Sequence, residues 1–360
     1  MKKRAGVLFI VVNFILFFNN LHIKAEKIKF IKKYELGSEE KKEEIFFKIQ
    51  DVKADRKGNI FILDYGNNCI KKFSKERKFL KEAGRKGQGP GEMMNPLSLT
   101  IDENRNVYVS ESLNNRLNIY DNNLNFINTI KFPSSRPMYI YINSHETLIG
   151  LQVPRIIGDK YFIKFSKEGK LIQSFFDEFH PYAPRMKSLG NILEHIWAFQ
   201  YLIGKANLSQ HKKRIAFTYE RPENPYKIYL LDTGGKVIRT IEKKIKDFNP
   251  QDLYEFFKAS YKDKNKRYNK DFKSLGIVGL HFTKEDFLIS QINEWYTQEG
   301  HSENKGYFLD IFSPEGDLVE EGIRFADKIL SIDRENNVYS LREDEEGIQK
   351  VIVYSLKINK

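Results

Sequence analysis

One phrase recurs along this chain, and a repeat of roughly forty residues restricts a fold more than composition can. The phrase is an apolar strand, a turn of Asp, Asn, Gly and Lys, an alternating strand, a polar loop, a third strand ending in an aromatic, a tight turn and a fourth strand. Residues 51–84, DVKADRKGNIFILDYGNNCIKKFSKERKFLKEAG, align with residues 97–130, LSLTIDENRNVYVSESLNNRLNIYDNNLNFINTI. Asp55/Asp102, Asn59/Asn106, Asp64/Glu111, Asn67-Asn68/Asn114-Asn115 and Phe73/Tyr120 fall in register. Further copies begin near Met138, span about 206–241 and 279–322, and begin again near Ala326.

Short alternating strands joined by turns of few residues predict a four-stranded antiparallel meander for each copy. One such sheet cannot bury both faces, so the copies must stack, and radial stacking of four-stranded sheets makes a propeller. The sixth copy stops after its third strand, VIVYSLK (351–357), while IKFIKKYELG (28–37) reads as an orphan fourth strand. The expectation is an all-β, six-bladed β-propeller of four-stranded antiparallel blades. The N-terminal strand would close the last blade and leave no open edge.

The stretch 84–121, GRKGQGPGEMMNPLSLTIDENRNVYVSESLNNRLNIYD, resembles an NHL-type repeat, as found in bacterial exported six-bladed propellers of unassigned activity. The likeness rests on the Gly-rich connector, the Pro before an apolar strand, the Asp-x-x-x-Asn turn and the Asn-Asn-Arg-Leu start of the third strand. It implies mostly binding of proteins or nucleic acids; a few such relatives are lyases or lactonases.

Residues 1–25 read as a signal peptide, with an uncleaved membrane anchor as the alternative: Lys2, Lys3 and Arg4 precede the apolar run Val7 to Phe18, and Ala25 offers a cleavage point. That run is too short for the roughly 20 residues a spanning helix needs. The mature chain, 26–360, is therefore expected in the periplasm or outside the cell, with no membrane span. Removing 1–25 takes away four positive charges and no negative ones, so a net +12 becomes +8. Cys69 is the single cysteine, which excludes an internal disulfide.

In a meander blade the turns joining strands one–two and three–four share one side, and the remaining connections share the other. The first set is uniformly short here, as in DRKGN (55–59), DENRN (102–106), SKEGK (166–170) and DRENN (333–337). Asp and Asn cap such turns with their side chains, and Gly supplies positive φ. Long insertions fall on the other side: the connector 84–96, the segments 176–205 and 242–278, and a loop at 292–306. Binding residues gather on loops carried by a rigid scaffold. This side is therefore the expected surface for a protein, peptide or glycan, and nucleic acid is not an expected partner of an exported chain.

The insertion 242–278 carries ten Lys/Arg and six Asp/Glu, with LYEFFKASY (253–261) patterned as an amphipathic helix and Arg267 and Tyr268 in a basic stretch. That stretch suits an anionic partner or simply a solvated charged loop. Trp295 and Tyr296 are expected at an exposed loop tip, where aromatics suit carbohydrate or protein contact. The second-to-third-strand loops open with Asp64 and Glu111, followed by Asn67, Asn68, Asn114, Asn115 and Arg116. At a channel mouth the two carboxylates would bind a polar group, or calcium or another divalent ion. The Asn residues serve equally well as turn formers. A non-catalytic binding propeller is the leading expectation, and a metal-assisted, lactonase-like hydrolase or lyase led by Asp64 and Glu111 is the alternative. No motif calls for an organic cofactor.

Overall fold

The computed structural model describes residues 28–38, 40–132, 138–142, 147–151, 161–176, 204–208, 213–219, 224–249, 252, 272–298 and 301–359. The signal segment, the patterned helix at 253–261, residues 177–203 and both Arg267 and Tyr268 lie outside the described residues.

Six four-stranded antiparallel sheets follow one another along the chain. Blade one holds β2 (Ile49–Ala54), β3 (Ile60–Asp64), β4 (Cys69–Phe73) and β5 (Phe79–Ala83). Blade two holds β6 (Pro96–Ile101), β7 (Val107–Glu111), β8 (Arg116–Tyr120) and β9 (Phe126–Lys131). Blade three is β10 (Tyr139–Ile142), β11 (Leu148–Leu151), β12 (Phe162–Phe165) and β13 (Leu171–Phe175). Blade four is β14 (Gly204–Leu208), β15 (Arg214–Tyr219), β16 (Tyr226–Asp232) and β17 (Val237–Lys243). Blade five is β18 (Phe272–Phe282), β19 (Leu288–Gln298), β20 (His301–Phe312) and β21 (Leu318–Phe325). Blade six has β22 (Lys328–Ile332), β23 (Asn337–Glu343) and β24 (Gln349–Ile358), and its fourth strand is β1 (Ile28–Leu36).

Ring closure occurs as the repeat demands. Ile28 pairs with Ile358 and Leu36 with Val351, antiparallel, with one irregularity between Lys32 and Tyr34. Six apolar clusters lie between adjacent blades. The cluster between blades six and one joins Leu36, Tyr339, Val351 and Val353 to Ile49, Val52, Ile62 and Phe73. This placement explains the strand compositions. The second and third strands of blade one, IFILD and CIKKF, are buried throughout because each faces a neighbouring blade on both sides. The fourth strand, FLKEA, lies at the rim and is largely exposed.

The short turns are built by their first side chain. Asp55 Oδ1 accepts from the main-chain N–H of Lys57 and Asn59 (2.8 and 2.9 Å), and Oδ2 accepts from Asn59 Nδ2. Asp102 and Asp333 repeat the arrangement with Asn106 and Asn337. The left-handed position is Gly58 in blade one (φ +79°) but Arg105 and Asn336 in blades two and six (φ 67° and 59°). Glycine is therefore not required there when the Asp side chain fixes the turn.

Two insertion boundaries shift. Strand β17 runs to Lys243 and β18 begins at Phe272, so the long connection of blade four spans 244–271. The expected loop at 292–306 is not a loop. Residues 293–298 and 301–306 continue β19 and β20 as a hairpin, and 272–277 pair alongside as a third strand. Cross-strand pairing satisfies the backbone of this polar segment, which alternating hydrophobicity could not announce.

Candidate functional site

Asp64 ends β3 at the point where a connection enters blade one. Its carboxylate accepts from the N–H groups of Phe47 and Lys48 (both 3.0 Å), from those of Gly66 and Asn67, and from Asn67 Nδ2 (2.8 Å). Glu111 occupies the same station in blade two. It accepts from Met94 N–H (2.7 Å), Asn114 Nδ2 (2.6 Å), Asn118 Nδ2 (2.9 Å) and Arg116 Nε. Both acids are buried, at 0% and 2% exposed, so neither presents oxygen to a channel mouth. Asn68 and Asn115 take left-handed backbone (φ 54° and 53°) and turn the chain.

Arg116 is a clamp rather than a ligand-facing group. Besides Glu111 it donates to the carbonyls of Gln88, Gly89 and Glu92 (2.8, 3.1 and 2.8 Å). Asn118 also donates to Glu92 O and Tyr120 to Gly91 O, both at 2.8 Å. Residues 116, 118 and 120 share one face of β8, and together they fasten the Gly-rich connector. Carboxylates filled in this way have no lone pairs left for a cation. Among the described residues no three His, Cys, Asp or Glu side chains gather as a metal site. The hydrolase reading thus loses its two leading residues to the scaffold.

Trp295 stands within strand β19, opposite Ser274 and Asn304, and is half-buried. Tyr296 follows it in the strand, opposite Lys273 and Glu303. The three-stranded extension carrying them rises on the side of the long connections, because the short turn 283–287 closes the opposite end of β18 and β19. Lys273 and Glu294 form an ion pair across it (3.0 Å).

The axis of the ring supplies polar residues that the motif search did not isolate. The first strands face one another around it: β2 lies against β6 and β22, β10 against β6, and β18 against β14 and β22. An inner compartment of 110 Å³ is lined by all six first strands. A mouth of 460 Å³ opens below it among the short turns, and the two share Lys53, Tyr141 and Asn207. At this mouth Glu103 holds Arg334 (3.0 Å) and Arg56, tying blades six, two and one together.

His281 of β18 lines the inner compartment. It is 5% exposed, and neither ring nitrogen has a hydrogen-bond partner among the described residues. Its ring lies over Gly279, where an added Cβ would come within 2.3 Å of Nε2. Burial, with Lys53 and Lys328 nearby, pushes its pKa down from 6.5 to about 3. Since the folded value is the lower one, the unfolded chain gains a proton below pH 6.5 that the folded chain refuses. Stability contributed by this group will fall by about 1.4 kcal/mol per pH unit below that point. Urea denaturation at pH 7.5 and 5.0 is expected to show this slope, and His281→Asn to flatten it. An unchanged slope in the variant would show that the folded imidazole protonates freely.

Six four-stranded blades around a polar axial channel define a six-bladed β-propeller. The chain belongs to the DUF5128 family, described as 6-bladed beta-propeller, whose model matches residues 36–295. No curated protein matches it in sequence. Among solved structures it is similar to a presumptive exported protein from Bacteroides fragilis (TM-score 0.59, 11% identity, covering 92% of this chain and 96% of that one). It is also similar to a DUF4221 member from Bacteroides vulgatus (TM-score 0.58, 9% identity, covering 92% and 99%). At these identities the likeness is one of fold. No helix among the described residues is long and apolar enough to cross a membrane.

Proposed function

We propose that this chain is an exported, non-catalytic binding propeller that recognises a protein, peptide or glycan on the side of its long connections. The supporting observation is one-sidedness. Among the described turns, those joining strands one–two and three–four span five residues or fewer, from 55–59 to 333–337. The connections 84–95, 176–203 and 244–271 and the blade-five hairpin all leave from the other side. A ring clamped by Asp64, Glu111 and Arg116 is a rigid platform for them, and such platforms place recognition on their loops. Export rests on the Lys2-Lys3-Arg4 and Val7–Phe18 pattern. The aligned turns and connector of blades one and two favour the NHL-type reading within this family.

Glycan and peptide arrays probed with residues 26–360 test this reading. The double substitution Trp295→Ala and Tyr296→Ala is expected to weaken binding about tenfold or more, the scale of an aromatic anchor. Its melting temperature should stay close to that of the parent, because Trp295 is only half-buried and stands beyond Ile292, the last described β19 residue of the inter-blade core. Replacing 253–271 by a short Gly-Ser linker should also lower the signal. Undiminished binding by both variants would remove this surface from consideration.

A further inference from the structure

We propose that the rim of blades one to four, on the side of the short turns, docks on an anionic phospholipid bilayer. The outer strands β5, β9, β13 and β17 open with the same two-residue feature: Phe79-Leu80, Phe126-Ile127, Leu171-Ile172 and Val237-Ile238, each directly after a short turn. All eight side chains are exposed, and the second of each pair stands at 50, 53, 52 and 55%. They make up most of the large apolar side chains exposed among the described residues. Scattered singly, such residues need no explanation, but recurrence at one position of a repeat does. Equivalent positions of a ring lie at one height around its axis, so the four pairs are offered together to a flat partner. A neighbouring strand is not that partner. In all four blades the pairing to the third strand slips at the second residue, so Leu80, Ile127, Ile172 and Ile238 have no register partner. Such bulges unfit an edge for pairing with another chain.

Charge narrows the surface to an anionic one. Lys78, Lys170 and Lys236 stand exposed immediately before three of the pairs, and none sits in an ion pair among the described residues. Of the four acids in these turns, Asp121 and Asp232 accept from turn N–H groups and Glu76 pairs with Lys75 (3.8 Å), which leaves Glu168 against three lysines. Blade five ends the arc, since Asp317 and Glu320 flank its Leu318-Val319. Ammonium groups beside aliphatic tips suit the boundary between lipid headgroups and acyl chains. The start of the ring points the same way. Ile28 pairs with Ile358, and Leu356 N–H donates to Asn336 O in the short turn 333–337 (2.9 Å), so β1 begins on this side. An anchor in the apolar run Val7 to Phe18 would hold the ring within about 30 Å of the bilayer, the extended span of residues 19–27. The long connections then face away from the membrane, and either surface can fail without the other.

Co-sedimentation of residues 26–360 with vesicles of phosphatidylcholine and phosphatidylglycerol, about 3:1, against phosphatidylcholine alone tests the assignment at an ionic strength of about 0.1 M. Partition into the anionic vesicles is expected to exceed that into the neutral ones about tenfold or more, and to fall with added salt. Ile127→Asn with Ile172→Asn and Ile238→Asn should weaken it about tenfold or more, and so should Lys78→Gln with Lys170→Gln and Lys236→Gln. Each variant is checked for a cooperative melt, and the lysine set carries the test if the isoleucine set fails to fold. Trp295→Ala with Tyr296→Ala should leave partition unchanged, which separates this surface from the long-connection one. Sedimentation with neither vesicle would overturn the proposal, as would partition that ignores both sets of substitutions. A parent that is dimeric by light scattering, made monomeric by the isoleucine set and indifferent to vesicles, would give the surface to a second copy instead.

Discussion

A chain starting at residue 38 is expected to lose cooperative folding altogether. Strand β1 buries Ile28 and Leu36 at 5% and 1% exposure, and burial of each such side chain is worth about 1.5–3 kcal/mol. Its ladder to β24 runs from Ile28 to Leu36, and each hydrogen bond lost adds about 0.5–1.5 kcal/mol. Together these losses are comparable to the whole stability of an ordinary domain, about 5–15 kcal/mol. They also bare the edge of β24, an invitation to pair with another chain. Thermal melts and size-exclusion profiles should show aggregation or a broad transition in place of a sharp one, and a peptide of residues 28–37 should partly restore the sharp one. A truncated chain melting sharply within a few degrees of the parent would show that the ring holds without its closing strand.

The substitution Glu111→Ala should cost about 3–5 kcal/mol, because it strands the buried Arg116 guanidinium and frees Met94 N–H, Asn114 and Asn118 of their acceptor. Removing both charges, as Glu111→Leu with Arg116→Met, is expected to cost less than the two single changes summed, since neither is then left buried alone. Urea denaturation gives these values. The same titrations with calcium and with a chelator separate the two roles considered for Glu111. A scaffold carboxylate gives midpoints indifferent to the ion, whereas a ligand gives a calcium-dependent midpoint that vanishes in the variant.

The repeat made the architecture legible because each copy carries its own punctuation. Asp55, Asp102 and Asp333 mark turns through the same local hydrogen bonds wherever they stand. The orphan segment 28–37 was readable because the sixth copy lacks a fourth strand. The roles of Asp64 and Glu111 were not readable. A carboxylate at a strand end looks the same in sequence whether its oxygens receive main-chain N–H groups or a cation. Only the path of residues 47–48 and 94 decides, and that path is set by packing between blades. The blade-five hairpin was hidden by its polarity, since NEWYTQEG and HSENKG alternate too weakly to read as strands. His281 was missed because GIVGLHF reads as ordinary core. A usable signal was present in register, however. Lys53, Thr100, Tyr141, Asn207, His281 and Ser331 all line the channel or its mouth, one polar residue from each first strand.

The seam between β1 and β24 also orders events in time. During synthesis residues 28–36 emerge long before their partners, 351–358. No nascent intermediate, however many blades it has assembled, can join its two ends. Five blades must wait as an open arc, with Leu36 and Phe46 lacking the neighbours that later cover them. Bringing ends so distant together is the slow step that chain topology imposes. Until it happens the two ends of the arc stay unpaired, and the surface exposed there is open to misassembly with another chain.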